Sequence, residues 1–245
     1  MRLVQFICIF TSGLLVLFAI KYFAGLSDYL IPPPEEIFLL FTTKWADFLL
    51  PAINTTLVAI AGHVLAIFLA VIVAFLARTG SRFSSMVKTA AYNLQAYPVV
   101  AIAPIVFIFL GDGLASRLLI ASLICYFPLL LSFLGIFSDP VVDVEHFFRE
   151  TKLLTSRMEL SIRTFENMDK IITVIAGSGT LAMVGTIVAE FLAATNGIGY
   201  VIRKSLYQNN LAAILVSLFF IGLGSSVYLM AVEILGFKIK EKLAG

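Results

Sequence analysis

The chain has 245 residues, of which 60% are hydrophobic and only 13% charged, with a net charge of +2 and a mean hydropathy of +1.03. A soluble domain carries about a quarter charged residues, so this composition places the chain in a bilayer, and its scattered basic residues exclude nucleic acid as a partner. The two cysteines, Cys8 and Cys125, lie in apolar runs, and the two histidines, His63 and His146, have no ligand-spaced neighbours, so neither a disulfide framework nor a metal site is expected.

A membrane helix needs about 20 mostly apolar residues. On that measure the sequence predicts an all-α membrane protein with six transmembrane helices, at residues 4–25, 52–77, 88–111, 117–138, 170–193 and 211–236. The first run follows Met1-Arg2 as a signal peptide would, but it is long and lacks a clear small-x-small cleavage site before Tyr29, so a retained anchor is expected. Between the first two spans, "IPPPEEIFLLFTTKWADFLL" predicts an interfacial helix over 34–48. Pro34 suits a first turn, Glu35 and Glu36 suit the helix dipole, and Ile37, Leu40 and Phe41 form a buried stripe with Trp45 at the lipid–water boundary.

Polar residues inside spans are costly and therefore candidate functional positions. Asn93, Gln95, Tyr97 and Tyr126 could line a translocation route, as could Asn196 near the end of the fifth span. Glu190 either faces that route or bonds to the following "NGIGY" turn, and His63 reads better as an interhelical contact than as a ligand. Glu233, close to Lys238, is expected at the inner interface.

Charge is concentrated in one interior stretch, "VEHFFRETKLLTSRMELSIRTFENMDK", which holds ten of the 32 Asp, Glu, Lys and Arg residues. Val144, Phe147, Phe148, Thr151 and Leu154 recur at helical spacing, with Glu145, Arg149, Glu150 and Lys152 on other faces. Met158, Ile162 and Phe165 form a second stripe, and Ser156 with Glu159 reads as a capping box. Two short helices joined near Leu154–Thr155, within a loop over 139–169, follow. A solvated connection would not need two adjacent phenylalanines, so an apolar partner surface is expected. Lysine and arginine set the orientation. Twelve fall on the side of the termini and this loop, against Lys21, Lys44, Arg117, Arg203 and Lys204 on the other, so both termini and the loop are expected in the cytoplasm.

"GSGT" at Gly177–Thr180 lacks the Gly-Lys-Ser/Thr ending of a phosphate loop and lies in a span, where small residues allow close helix packing. No nucleotide motif occurs elsewhere, so the chain is not expected to be an enzyme.

Taken together, the outer "IPPPEEIF" segment, "YPVVAIAPIVFIFLGDG" with Pro98 and Pro104, "YFP" at Tyr126–Pro128 and "VAEFLAATNGIGYVI" with Glu190, Gly197, Gly199 and Tyr200 resemble the transmembrane permease subunit of ATP-binding-cassette importers. The likeness is to the nitrate/sulfonate/taurine/bicarbonate type, which includes pyrimidine-precursor and riboflavin permeases. The resemblance implies a type I importer permease, a single domain over 1–245 in the cytoplasmic (inner) membrane. Its implied partners are a separate ATP-binding subunit that carries ATP and Mg, an external substrate-binding protein, a second permease and membrane lipid, with no cofactor in this chain. It also implies that Phe147, Phe148, Glu150, Leu153 and Leu154 dock the ATPase. In the family's coupling loop a Glu-Ala-Ala run is followed, after three residues, by Gly; here Phe148, Arg149, Glu150 and Leu154 stand in those places. That departure makes a heterodimer with a more regular permease an alternative to a homodimer. A stand-alone carrier or channel is the other class of function, but no internal repeat supports it. With no basic residue at the centre of a predicted span, a neutral or heterocyclic solute is favoured over an anion.

Overall fold

The computed structural model describes residues 2–78, 82–151 and 155–244, without the side chains of Arg149 and Ala244. Leu153 and Leu154, and the joint between the two short helices, lie outside the described residues. The described residues form eleven helices: α1 Arg2–Ala24, α2 Pro34–Thr43, α3 Trp45–Ala77, α4 Arg82–Gln95, α5 Val99–Leu110, α6 Leu114–Ser138, α7 Val142–Glu150, α8 Ser156–Glu166, α9 Met168–Leu192, α10 Ile198–Tyr207 and α11 Leu211–Ala244. Five of them, α1, α3, α6, α9 and α11, are long and apolar enough to cross a membrane.

The span expected over 88–111 is not one helix. α4 and α5 are bent by 90° at a break of a few residues, and they supply a sixth span only if the pair crosses together. The cause is local: Pro98 lacks an N–H and holds extended backbone at φ −68°, ψ 110°, which disfavours helical geometry in the residue before it. The interfacial helix is also shorter than 34–48. It ends at Thr43 because Lys44 leaves helical geometry, at φ −128°, ψ 22°, and Trp45 opens α3 instead. Ile37 is buried, and Leu40 and Phe41 pack beside it as the stripe requires.

The core lies between α3, α6 and α9. Along α3 the stripe Ala66, Ala70, Ala74 and Ala77 is fully buried against Cys125, Leu129, Phe133 and Phe137 of α6. One turn earlier, a Cβ on Gly62 would stand 2.7 Å from the Ala121 Cβ. Lipid tails are as apolar as leucine, so close packing of small residues, not expulsion of water, holds such helices together. Gly179 of the "GSGT" stretch is another close approach, with Tyr228, Leu229 and His63 around it, whereas Gly177 faces open space. His63 is fully buried between α3, α9 and α11, with Nδ1 2.5 Å from the Tyr228 hydroxyl and Nε2 2.8 Å from Ser178 Oγ. Ser178 donates its only hydroxyl proton to the Ile175 carbonyl, so it accepts from His63 Nε2–H, and Nδ1 accepts from Tyr228.

α1 packs on α11. Phe6 and Phe10 stack around Phe219, Gly222 makes room for Phe6, and Arg2 forms an ion pair with Glu233. Glu233, expected at the inner interface, thus ties the first described helix to the last.

Candidate functional site

Two buried ionic clusters mark the two ends of the bundle. At the end away from α7 and α8, Glu190 of α9 is fully buried. Its Oε1 accepts from Arg117 Nη1 at 3.0 Å, and its Oε2 accepts from Thr55 Oγ1 at 2.7 Å and the Gly199 N–H at 3.1 Å. Arg117 Nη1 also donates to Asn54 Oδ1 at 2.9 Å. The turn from α9 into α10 depends on this carboxylate. Gly197 sits at φ +92°, and a Cβ there would fall 2.2 Å from the Glu190 carboxyl carbon, so only glycine fits. The Thr55 hydroxyl also accepts the Ile198 N–H at the start of α10.

Arg117, expected at the first position of a span and counted among the outer charges, lies deeper than that. α6 begins at Leu114, placing Arg117 one turn inside the helix, and it is 4% exposed. The expected span over 117–138 opens on this arginine, and composition does not reveal a partner 73 residues away. The readable signal is a lone arginine one turn after Gly113 and beside an apolar helix, which has to find an anion if the helix extends past it.

The other polar candidates are not gathered around Glu190. Asn93, Gln95 and Tyr97 are exposed near the α4–α5 bend, Tyr126 is half-buried in α6 with its ring against Phe127, and Asn196 is exposed in the turn before α10. None of them shares a hydrogen bond with Glu190 among the described residues.

At the opposite end, α7 and α8 carry the charged stretch. Phe147 is 62% exposed, Phe148 is half-buried and Glu150 is exposed. Phe148 turns into a groove of about 590 Å³ whose walls include Val144, Met158, Ile162, Phe165 and, from α11, Leu243. The two adjacent phenylalanines therefore point differently, one outward and one into the groove. The cap of α8 is Thr155, not Ser156. Thr155 has extended backbone and accepts the Met158 N–H at 3.2 Å, while Glu159 pairs with Arg163 at 2.7 Å instead of closing a capping box.

Glu145, expected off the apolar stripe, is 1% exposed. Arg163 donates to it from Nε at 2.7 Å and Nη2 at 2.9 Å, and from Nη1 to the Phe137 carbonyl at 2.5 Å. Glu145 also accepts the Val141 N–H at 3.0 Å. The hydrogen bonds that Arg163 donates to Glu145 raise its pKa above the ordinary value, with Glu159 adding to the effect. The pairing was hidden in the sequence because the partners are 18 residues apart on different helices, beyond the reach of any helical-spacing rule.

Among the described residues no group of three or more His, Cys, Asp or Glu could hold a metal ion. The arrangement defines a multi-pass, all-helical membrane protein that bears amphipathic helices and a grooved surface at one end and a buried ionic cluster at the other. No family model matches the chain. It is 24% identical over 218 residues to the formylaminopyrimidine transport permease protein ThiX of Halalkalibacterium halodurans, covering 88% of this chain and 83% of the relative. It is 27% identical over 176 residues to a probable ABC transporter permease protein of Haemophilus influenzae, 70% of each chain. A shorter match, 32% over 117 residues, is to the riboflavin transport system permease protein RibX of Chloroflexus aurantiacus and covers 44% of this chain and 41% of the relative. The resemblance to ABC transporter permeases is thereby borne out.

Proposed function

We propose that this chain is the membrane-spanning subunit of an ATP-driven importer, forming the solute pathway and coupling to a separate ATP-binding subunit through α7 and α8. The observation that carries the reading is the similarity to a named transport permease along most of both chains. The exposed Phe147 beside an apolar groove supports it as a surface that a protein partner would cover. In this reading both termini and the α7–α8 loop are cytoplasmic in the inner membrane, and an external binding protein delivers the solute. A second permease, identical or distinct, completes the pathway. Asn93, Gln95, Tyr97, Tyr126 and Asn196 are the candidate pathway positions. Glu190 acts as the anchor of the α9–α10 turn.

Burying one large apolar side chain contributes about 1.5–3 kcal/mol, and interfaces concentrate their energy in a few such anchors. The test is co-purification with the ATP-binding subunit that this reading requires. Phe147→Ala combined with Phe148→Ala should lose that subunit while membrane insertion is kept, and an Arg157→Ala control should retain it. An unchanged yield of the complex from the phenylalanine variant would remove α7 from the interface.

A further inference from the structure

The Glu145–Arg163 pair joins three helix ends. Phe137 is the penultimate residue of α6, so its carbonyl is one of those a helix leaves unsatisfied, and Arg163 both bonds it and places a cation where the dipole favours one. Glu145 bonds the Val141 N–H immediately before α7. Arg163 itself belongs to α8. α7 packs on α8, and α8 in turn packs on α6 and α9, so α7 stands on the bundle through α8 and this pair. The other ion pair tying elements together near this loop, Lys240 with Asp169, is exposed, and such pairs contribute little. At its far end α6 carries Arg117, which holds Glu190 and so the turn before α10. A 25-residue helix held at one end by the Arg163 hydrogen bond to its Phe137 carbonyl and at the other by the Arg117–Glu190 ion pair is thereby connected to the α7–α8 surface and to the opposite face.

We propose that Glu145 and Arg163 are positioning residues that pass a displacement of α7 into α6, and through Arg117 and Glu190 into the turn around Asn196. The inference rests on the reading of α7 and α8 as the ATPase-docking element. Without the pair, α7 would still present its docking side chains but would be less tightly tied to α6, keeping the short chain link over 139–141.

The experiment uses the full complex with its ATP-binding subunit, in a background with Cys8→Ser and Cys125→Ala, and places a reporter thiol by Asn196→Cys. The labelling rate of that thiol by a maleimide is measured with and without a non-hydrolysable ATP analogue. With Glu145 and Arg163 intact, nucleotide should change the rate. In Arg163→Met and in the milder Glu145→Gln, the subunit should stay bound while the nucleotide-dependent change falls about tenfold, within the usual range of coupling between sites. Variants that respond fully overturn the inference and leave the proposed function standing, as does an intact complex that binds the subunit without any nucleotide response. Loss of subunit binding in folded variants also overturns it, by assigning the pair to docking. Failure of both variants to fold overturns it by assigning the pair to folding alone. An intact chain that never binds the ATP-binding subunit overturns the proposed function, and the inference with it.

Discussion

Glu190→Ala is the most informative single change. It strands Arg117, which is 4% exposed and whose Nε has no hydrogen-bond partner, and it frees the Gly199 N–H and the Thr55 hydroxyl. Removing one member of a buried pair costs about 3–5 kcal/mol, because the surviving charge is left uncompensated. For a chain of this size each kcal/mol lowers the midpoint by about 2–4 °C, so the variant should lose on the order of 10 °C in thermal unfolding in detergent. Glu190→Gln keeps an acceptor for Thr55 or Gly199 but loses the ion pair, and should cost about 1.5–3 kcal/mol, the worth of a hydrogen bond to a charged group. The decisive comparison is Arg117→Leu together with Glu190→Leu, which removes both charges at once. It should be less destabilising than the two single substitutions added together, by at least about 1 kcal/mol of interaction energy. A Glu190→Ala protein with the parental midpoint, or strict additivity of the leucine substitutions, would refute the assignment of this cluster as a coupled structural anchor.

Gly197→Ala forces a side chain into left-handed backbone and onto the Glu190 carboxylate; it should cost more than about 2 kcal/mol of unfolding free energy, measured by the same thermal assay. Lys240→Ala removes an exposed pair with Asp169 and should change stability by no more than about 1 kcal/mol, with a larger loss showing that the pair is shielded in the assembled complex. For topology, Ser156→Cys and Asn209→Cys, each alone in a cysteine-free background, should differ in labelling of intact cells by an impermeant thiol reagent. Position 209 should react from outside and position 156 should not, and the reverse pattern would invert the orientation.

What was legible in the sequence is what repeats along it. The apolar runs that became α1, α3, α6, α9 and α11 exceed the length of a span, and the Ile37, Leu40 and Phe41 stripe obeys the helical period, so a pattern rule finds both. Breaks set by one residue were harder. Pro98 was noted as part of a motif but not as the corner of a 90° bend, because the apolar run continues across it and hydropathy does not register direction. α10 was read only as a turn, since "NGIGY" draws attention to the glycines while the ten-residue helix after them is short and mixed in polarity.

The ionic clusters are a different case, since each holds an arginine that the orientation count places among the loop charges. Arg117 entered the orientation argument as a loop charge on one side and Arg163 as a loop charge on the other, yet both are buried. Removing them leaves eleven basic residues against four, so the bias survives the correction and the expected orientation does not depend on it. The same holds for the solute. Arg117 lies one turn inside a membrane-length helix, not at its centre, and its charge is matched by Glu190 and shared with Asn54. A positive group already neutralised by a fully buried carboxylate offers little attraction to an anion, so Arg117 strengthens the architecture of that end without shifting the preference for a neutral solute.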